Sequence, residues 1–281
     1  FDIERAAKVA GARFYYLKDA AVRLEFALVQ YALDILAKEG FTLTIPPMIL
    51  RERVMQGAGF LPAGEEDIYK IENNDGTERL FLVGTSEQAL AGIHMDEVLL
   101  KSELPKKYAG YSSCFRTEAG SHGRDTKGIF RVHQFEKIEM FVFADPIKSY
   151  DEHEKMILIA EKIFQGLKIP YRIVNICTGD IGVVAAKKYD LEVWLPGQGK
   201  YREAVSCSNC TDYQARRLNA KYREKEGASP AGLVHTLNST AIAISRAIVA
   251  ILENYQKKDG SVKVPDVLVP YMGGLKEIRK C

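Results

Sequence analysis

The chain has 281 residues, of which 47% are hydrophobic, so it is long enough to bury a sizeable core. Its net charge of +2 is too balanced to diagnose a nucleic-acid binder, although it does not exclude one. No apolar run reaches membrane-spanning length, no signal-peptide pattern opens the sequence, and no linker or repeat divides it. These features favour a single globular domain over residues 1–281 and exclude a helical membrane protein.

The segments 111–118 and 129–143 are rich in aromatic and β-branched residues, and the Gly-rich stretch between them lacks an apolar run. This pattern predicts an antiparallel hairpin with a long loop. Side chains alternate along a strand, so Arg116 and Glu118 are expected on one face of the first strand, and Arg131, Phe135 and Glu139 on one face of the second.

About 13 Å separates Phe135 from Glu139 along a strand, close to the distance between an adenine ring and an amino group in an aminoacyl-adenylate. The hairpin therefore suggests a place for a nucleotide beside an amino acid. A solvated sheet face with scattered charges would give the same pattern, and both interpretations stay open at this point.

Downstream, residues 151–167 show apolar residues at helical spacing with acidic residues in the first turn, which predicts a helix. Strands are predicted at 171–177, 191–195 and 201–206, followed by a basic helix over 212–225. Taken together, these elements predict an α+β fold. No phosphate-binding GxxxxGK[ST] loop occurs, which weighs against parallel nucleotide-binding folds.

Residues 235–255 read as a short polar strand and then a helix that is apolar nearly all round, which predicts a buried helix. Arg246 lies near the start of this helix, where a cation opposes the helix dipole and loses hydration. It therefore needs an anionic partner. A nucleotide polyphosphate and a protein carboxylate both satisfy that need.

These segments resemble motifs of the class II aminoacyl-tRNA synthetases. The hairpin (about 111–143) resembles motif 2, and residues 235–256 resemble motif 3. A helix over 21–39 with the segment 41–50, including Pro46 and Pro47, resembles motif 1 and the dimer interface of that class. The details are similar to the seryl-tRNA synthetases in particular: Thr85-Ser86-Glu87, FRTEAGSHGRDTKGIFRVHQFEKIE, SCSNCTDYQARR and HTLNS. The resemblance covers nearly the whole chain and implies an antiparallel sheet flanked by helices.

The resemblance implies ATP-dependent activation of L-serine and its transfer to serine tRNA. It assigns Arg116, Glu203 and Arg246 to catalysis and Glu203 and Ser206 to Mg²⁺. The residues that it assigns to serine binding are Thr85, Ser86, Glu87, Arg116, Glu139 and Thr240. The residues that it assigns to ATP binding are Arg116, Thr117, Glu118, Arg131, Val132, Phe135, Glu203, Ala204, Val205, Ser206 and Arg246. Among these, Glu118 is expected to read the adenine edge, Phe135 to stack on the ring, and Arg131 and Arg246 to hold the outer phosphates.

Some features depart from the family pattern. Val205 stands where the family commonly has a serine, and Ser239-Thr240 where it usually has glycine and serine. No N-terminal coiled-coil arm is visible, so tRNA contact is expected mainly at the acceptor end. A catalytic domain separated from its arm, an arm-less enzyme that serves a carrier protein, and a non-catalytic regulatory relative are the three interpretations.

The five cysteines lack the spacing of a disulfide framework, which predicts a cytoplasmic, reducing environment. Cys207 and Cys210 form an isolated CxxC with no second pair of ligands, so a zinc or redox site there stays open. A homodimer without membrane association is expected from the resemblance to motif 1.

Overall fold

The structure is a computed structural model that describes residues 1–72, 76, 78–119, 123, 125 and 128–279. Seven α-helices lie within these residues: α1 (Ile3–Ala10), α2 (Ala20–Lys38), α3 (Glu52–Gly57), α4 (Ser86–Ala91), α5 (Ser149–Gly166), α6 (Tyr213–Leu218) and α7 (Ile244–Tyr255). Six 3₁₀ turns accompany them: Glu65–Asp67, Gly92–His94, Lys101–Glu103, Pro146–Lys148, Asp266–Leu268 and Pro270–Met272. None of these helices is both long enough and apolar enough to cross a bilayer.

The same described residues form fifteen strands: β1 (Thr42–Thr44), β2 (Ile49–Arg51), β3 (Lys70–Ile71), β4 (Leu80–Leu82), β5 (Val98–Leu100), β6 (Lys106–Phe115), β7 (Gln134–Ala144), β8 (Tyr171–Asn175), β9 (Lys187–Leu195), β10 (Lys200–Asn209), β11 (Lys221–Arg223), β12 (Gly232–Leu233), β13 (His235–Ala243), β14 (Val262–Lys263) and β15 (Glu277–Ile278). Seven of them build the central sheet in the order β1-β6-β7-β13-β10-β9-β8. Every pairing in this sheet is antiparallel except β1 with β6. The predicted α+β fold with a largely antiparallel sheet is confirmed.

The central strand β7 divides the interior into two sides because its side chains alternate between the faces of the sheet. Ile138, Met140 and Val142 point into the larger core, which is closed by residues of α2, α5 and α7. Phe141 and Phe143 pack into a second core with residues of α4 and α6. This face of β7 is therefore apolar at the end that carries Phe141 and Phe143. Its other end is available for polar side chains.

Helix α4 lies against the sheet at a point where only glycine leaves enough space. A Cβ added to Gly110 on β6 would lie 2.9 Å from Leu90 Cδ1 and 3.0 Å from Ser86 Oγ. The Ser86 hydroxyl also donates a hydrogen bond to the Gly110 carbonyl oxygen over 2.9 Å. At the start of the helix, Thr85 Oγ1 accepts from the Glu87 N–H and caps α4. This packing fixes where Thr85 lies relative to β7.

Several predicted boundaries are wrong. The hairpin strands are β6 and β7, so Arg116, Glu118 and Arg131 lie outside them, and the predicted alternation along one strand does not apply to these three. Glu118 has a φ of 54°, a left-handed conformation that ends the extended backbone. The part of the hairpin loop at 120–122, 124 and 126–127 lies outside the described residues.

Two other elements differ from the prediction. The expected helix over 212–225 ends at Leu218 because Asn219 is left-handed, with a φ of 56°, and 221–223 instead form β11. The strand before α7 is β13, which is nine residues long and almost entirely buried because it lies between β7 and β10. The helices predicted at 21–39 and 151–167 are present as α2 and α5.

Candidate active site

A cleft opens between the hairpin, β10 and the first turn of α7. The residues that line it come from segments far apart in the sequence: Arg116, Glu118, Phe130, Arg131, Val132, Phe135, Lys137, Glu203, Ala204, Thr240, Ala243, Ser245 and Arg246. Nine of them belong to the catalytic, serine-binding or ATP-binding sets predicted from the sequence: Arg116, Glu118, Arg131, Val132, Phe135, Glu203, Ala204, Thr240 and Arg246. The fold therefore brings most of the predicted residues together in one place.

Arg116 is held at the mouth of the cleft by contacts that do not neutralise its charge. Its Nε donates to the Gly84 carbonyl oxygen over 3.1 Å, and its guanidinium carbon lies 5.3 Å from the centre of the Phe135 ring. Both contacts orient the planar group through neutral partners. The arginine therefore keeps its positive charge available for an anion.

The Phe130 ring supports two further arginines. The guanidinium carbon of Arg202 lies 4.0 Å from the ring centre, and that of Arg246 lies 4.9 Å from it. Arg246 also donates from Nη1 to the Glu203 carbonyl oxygen over 2.8 Å, and the same nitrogen is 3.5 Å from Glu203 Oε1. Burial lowers the pKa of Arg246, and the nearby arginines lower it further while Glu203 opposes them. The carboxylate partner predicted as one alternative for Arg246 is thus present.

An ion-pair chain links the hairpin to β10. Arg131 Nη1 is 2.6 Å from Glu118 Oε2, and Arg131 Nε is 3.7 Å from Asp125 Oδ2. Asp125 in turn accepts from both terminal nitrogens of Arg202, at 3.0 Å and 2.5 Å. Glu118 and Arg131, to which the resemblance gave different ends of a nucleotide, here contact each other.

The inner end of the cleft holds a buried polar group, which we call the inner polar cluster: Thr85, Lys137, Glu139 and Thr240. Lys137 Nζ is 2.6 Å from Glu139 Oε2 and donates to Thr85 Oγ1 over 2.8 Å. The Thr240 hydroxyl donates to Glu139 Oε2 over 3.2 Å. Lys137 and Thr240 line the cleft, whereas Glu139 and Thr85 lie one contact deeper, and all four are at most 7% exposed. A lysine and a glutamate this deeply buried stabilise each other only as a pair.

Glu87 lies beside this cluster but is bound by a different set of groups. Its Oε1 accepts hydrogen bonds from Gln214 Nε2 and Asn238 Nδ2, each over 2.9 Å. Burial, and then the negative charge of Glu139, raise the pKa of Glu87 to about 7. Near neutral pH this carboxyl therefore exists in both protonation states.

Glu203 and Ser206 on β10 lie near a third oxygen donor, Asp190 on β9, which pairs directly with Ser206 in the strand register. Burial, and then Glu203, raise the pKa of Asp190 to about 6. Burial also raises the pKa of Glu203, but Arg246 and Arg116 outweigh it, so the net shift is downward and Glu203 stays ionised. Asp190 Oδ1 is buried and accepts no hydrogen bond from any residue that the structure describes.

These oxygen donors fit a hard divalent cation. An ionised carboxylate with a hydroxyl beside it suits Mg²⁺, which prefers oxygen ligands and completes its shell with water and phosphate oxygens. Among the described residues, no three His, Cys, Asp or Glu side chains group closely enough to hold a metal by themselves. An all-protein cage is thus ruled out for the part of the chain that is described, and a shared protein–nucleotide site is compatible with it.

Comparison with known proteins assigns the family. Residues 69–255 match the family described as the tRNA synthetase class II core domain (G, H, P, S and T). This match covers more than half of the chain and includes the cleft and the inner polar cluster. The chain belongs to this class II synthetase family.

The relatives of this class II chain are named as serine enzymes. It is 59% identical over 271 residues to a serine–tRNA ligase from Archaeoglobus fulgidus, an alignment that covers 96% of this chain and 59% of the relative. A crystal structure of seryl-tRNA synthetase from Pyrococcus horikoshii complexed with ATP superimposes with a TM-score of 0.95 at 56% identity, covering 100% of this chain and 61% of that one.

A cytoplasmic serine–tRNA ligase from Naegleria fowleri in complex with AMP gives a TM-score of 0.92 at 47% identity, covering 98% of this chain and 64% of that one. The present chain thus spans about three fifths of the length of these relatives. Their sequences and structures agree in fold with this class II domain along almost its entire length.

Within the class II domain, some predicted site residues do not face the cleft. The Ser86 hydroxyl donates to the Gly110 carbonyl oxygen, and the Thr117 hydroxyl donates to the Glu66 carbonyl oxygen. The Val205 side chain lies in the large core. Through their side chains, these three contribute to packing in this structure, whereas Ala204 lines the cleft wall.

Both cysteines of the CxxC pair are buried, Cys207 in the large core and Cys210 beside Asn238. Burial raises the pKa of Cys207 to about 12 and that of Cys210 well above its ordinary value. The Cys210 thiol accepts a hydrogen bond from Asn238 Nδ2 over 3.3 Å. Both groups are therefore protonated thiols in this structure, whereas a thiol must lose its proton to bind a metal or attack a disulfide.

Reasoning from the sequence missed Lys137, Gln214, Asn238 and Arg202. Lys137 had a readable signal, since it lies between Phe135 and Glu139 at the two-residue spacing of one strand face. Gln214 and Asn238 lie in the segments SCSNCTDYQARR and HTLNS, but no sequence spacing links them to Glu87, which they reach from distant segments. Arg202 carries no motif, and only the fold places it over Phe130.

Proposed function

We propose that this chain carries the site at which L-serine and ATP react to form seryl-adenylate and pyrophosphate. The observation that carries the proposal is that one cleft is lined both by arginines and by Lys137 and Thr240 of the inner polar cluster. An arginine-lined region suits a nucleotide triphosphate, and the inner polar cluster suits an amino acid with a hydroxyl group. The names of the relatives, and the ATP and AMP in the neighbouring structures, support the same assignment.

In this reaction a serine carboxylate oxygen attacks the α-phosphorus of ATP, and the bond from that phosphorus to the bridging oxygen of pyrophosphate breaks. No proton needs to move, so orientation of the reactants and stabilisation of negative charge supply most of the acceleration. Arg116 is the group that would bridge the serine carboxylate and the α-phosphate, because its planar guanidinium can donate to both anions. The N-terminal turn of α7, which has no side-chain cap, would add positive potential at the same wall.

Binding of ATP follows from the remaining cleft residues. Phe135 would stack on the adenine ring, Glu118 and the Val132 backbone would contact its edge, and Arg131 and Arg246 would hold the outer phosphates. The backbone of Thr117, Ala204, Val205 and Ser206 completes the proposed ATP set. Because Arg131 now pairs with Glu118, nucleotide binding would exchange that ion pair for contacts with the ligand.

Glu203 and Ser206 would hold Mg²⁺ between the protein and the nucleotide. When bound, the ion neutralises charge on the phosphates that leave as pyrophosphate. Glu203→Gln would raise the Mg²⁺ concentration needed for half-maximal activity, and titration of Mn²⁺ binding by electron paramagnetic resonance in the presence of ATP measures the same change directly. An unchanged Mn²⁺ titration would remove Glu203 from the metal site.

For serine, Glu139 would hold the ammonium group and Thr240 the hydroxyl, while Thr85 and Glu87 would complete the pocket. Such a pocket rejects alanine because its buried polar groups would lose their partners. Threonine would be excluded by its additional methyl group. Ser86 supports this pocket through its contact with Gly110 and has no proposed contact with serine.

Transfer of the serine to the acceptor end of serine tRNA is the proposed second step. Two other roles can be distinguished by experiment: activation of an amino acid for transfer to a carrier protein, and a regulatory role without catalysis. Arg116, Glu118, Glu139, Glu203 and Arg246 are all present, which supports an active enzyme over the regulatory role. Serine-dependent exchange between ATP and labelled pyrophosphate tests activation, and charging of serine tRNA measured beside loading of a carrier protein identifies the acceptor.

We also propose a homodimer formed through the segment that resembles motif 1. Phe26 on α2 and Leu43, Ile45 and Ile49 near β1 and β2 are large apolar side chains that are each at least 46% exposed. A second copy of the chain would cover them. Sedimentation equilibrium of the wild type and of Ile45→Glu tests this, and a wild-type monomer at micromolar concentration would contradict it. A cytoplasmic location is likewise proposed, in keeping with the free thiols of Cys114, Cys177, Cys207 and Cys210.

A further inference from the structure

We infer that Lys137 sets the donor and acceptor pattern of the amino-acid pocket and so determines its preference for a substrate with a hydroxyl group. This inference rests on the proposed function, since it concerns the residues proposed to bind serine. Lys137 is the member of the inner polar cluster that contacts both Glu139 and Thr85. It is a positioning and specificity residue, because its contacts are with protein groups.

The position of Lys137 follows from the strand. Phe135, Lys137 and Glu139 alternate onto one face of β7, so the lysine lies between the proposed adenine platform and the proposed ammonium site. Lys137 is 6% exposed and Glu139 is 2% exposed. A lysine surrounded this closely has few orientations available. Its contacts with Oε2 of Glu139 and with Oγ1 of Thr85 are therefore persistent features of the pocket.

The contact with Thr85 fixes which way that hydroxyl can act. Thr85 Oγ1 accepts a hydrogen bond from Lys137 Nζ and another from the Glu87 N–H. A hydroxyl has two acceptor sites and one donor, so both acceptor sites are used and only the O–H remains. Thr85 must therefore offer a donor to any further partner.

The contact with Glu139 has the opposite effect. Lys137 and Thr240 both donate to the same carboxylate oxygen, Oε2. This leaves Oε1 to accept from a substrate, and it uses the single donor of Thr240, whose oxygen can then only accept. Thr85 consequently offers a donor, and Thr240 and Glu139 offer acceptors. The third N–H of Lys137, which lines the cleft, is a further donor.

An ammonium group supplies donors only, and a methyl group supplies neither a donor nor an acceptor. A hydroxyl supplies both, so an amino acid with a short hydroxyl side chain matches the pattern and alanine does not. Without Lys137, Thr85 would be free to turn its hydroxyl, and Glu139 would be a buried carboxylate without its cation. Such a carboxylate has no compensation for its lost hydration, and its position for accepting the substrate ammonium is no longer fixed.

The test compares wild type with Lys137→Met in amino-acid-dependent ATP–pyrophosphate exchange. We expect the KM for serine to rise roughly thirtyfold or more, as when one partner of a buried charge pair is removed. The preference for serine over alanine in kcat/KM should fall at least about tenfold. The KM for ATP should stay within about twofold, because the arginines are untouched. A general loss of structure would change both KM values together with the melting temperature.

A second variant separates the effect of the Lys137 charge from the effect of its packing. Lys137→Ala removes the equivalent of propylamine, so added n-propylammonium should restore part of the serine affinity, and 1-propanol of the same size should not. Lys162→Met is the matched control, because that lysine is exposed on α5 and pairs with Glu39 far from the cleft. Its serine KM and alanine discrimination should equal those of the wild type.

The outcomes distinguish this inference from the proposed function. A serine KM and an alanine discrimination within twofold of wild type in Lys137→Met would overturn the role of Lys137 and leave serine activation intact. Equal rescue by propanol and propylammonium would also overturn it. Absence of serine-dependent exchange in the wild type would instead remove the proposed function on which the inference rests.

Discussion

Glu139 and Thr240 face each other directly on the neighbouring strands β7 and β13, and the Thr240 hydroxyl donates to Glu139 Oε2 over 3.2 Å. The register of the sheet thus creates this contact between residues 101 positions apart in the sequence. A register slip of one residue would turn one of the two side chains to the opposite face. The amino-acid end of the cleft therefore depends on the central pairing of the sheet.

Replacement of Glu139 should abolish activation of serine while the fold survives. Glu139→Gln keeps the volume of the side chain but removes the charge that holds the substrate ammonium. We expect kcat/KM for serine-dependent exchange to fall at least about a hundredfold. Glu161→Gln, an exchange of the same type on α5, is the control. Near-normal exchange in Glu139→Gln, with a melting temperature like that of the wild type, would refute the assignment of this carboxylate.

Glu87 should make stability depend on pH in a specific direction. Its pKa of about 7 lies above the ordinary value of 4.5, so the folded state favours the protonated form. The stabilisation is complete below the ordinary pKa and is lost as the pH rises through 7. Glu87→Gln keeps an acceptor for Gln214 and Asn238 but cannot ionise.

Relative to wild type, the free energy of unfolding of Glu87→Gln should therefore rise between pH 5 and pH 8.5, by about 2 to 3 kcal/mol. Urea unfolding at several pH values measures this difference. Burial is the largest cause of the raised Glu87 pKa and Glu139 raises it further, whereas Lys137, Gln214 and Arg116 lower it. A difference that is constant across this pH range would show that Glu87 titrates normally.

Gly110→Ala should weaken both stability and serine binding. The new Cβ would lie 2.9 Å from Leu90 Cδ1 and 3.0 Å from Ser86 Oγ, so these α4 side chains must shift, which disturbs the packing that positions Thr85. We expect a loss of roughly 1 to 3 kcal/mol in stability and a higher serine KM. Gly179→Ala is the control, because its nearest neighbour is the Cys177 sulfur at 4.0 Å. Equal effects of the two substitutions would argue against close packing at Gly110.

Arg246→Met should weaken ATP binding and spare serine binding. The variant keeps a long side chain over Phe130 but removes the charge proposed to hold the outer phosphates. A loss of roughly 2 kcal/mol in ATP binding, or about thirtyfold in Kd, is expected. Arg172→Met is the control, since Arg172 also lies near an aromatic ring, Tyr201, and a carboxylate, Glu192, but on β8 away from the cleft. Isothermal titration with a non-hydrolysable ATP analogue distinguishes the two variants. Equal ATP affinities of Arg246→Met and the wild type would exclude the phosphate contact.

The sequence predicted the fold class and most residues of the cleft because both depend on local patterns. Alternating aromatic and β-branched residues identify β6 and β7, and apolar spacing identifies α5. The boundaries failed where one residue adopts a left-handed backbone, as at Glu118 and Asn219. Asparagine often ends a helix in this conformation, so Asn219 carried a signal that the predicted helix over 212–225 did not use, whereas the glutamate at 118 carried none.

The deeper contacts of the site could not be predicted in the same way. Gln214 and Asn238 reach Glu87 only because α6 and β13 fold onto α4, and Arg202 reaches Phe130 only through the fold. Lys137 was different, because its place between Phe135 and Glu139 is visible once β7 is recognised. Its importance was hidden because a lysine on a strand more often faces water.

The most direct test of the central claim is ATP–pyrophosphate exchange by the wild-type protein, with each of the standard amino acids supplied in turn. Serine should give the highest kcat/KM, with alanine lower by a factor on the order of 10⁴ and threonine also poorly used. Exchange that does not depend on an amino acid, or that is highest with one lacking a hydroxyl group, would contradict the assignment of this cleft to serine activation.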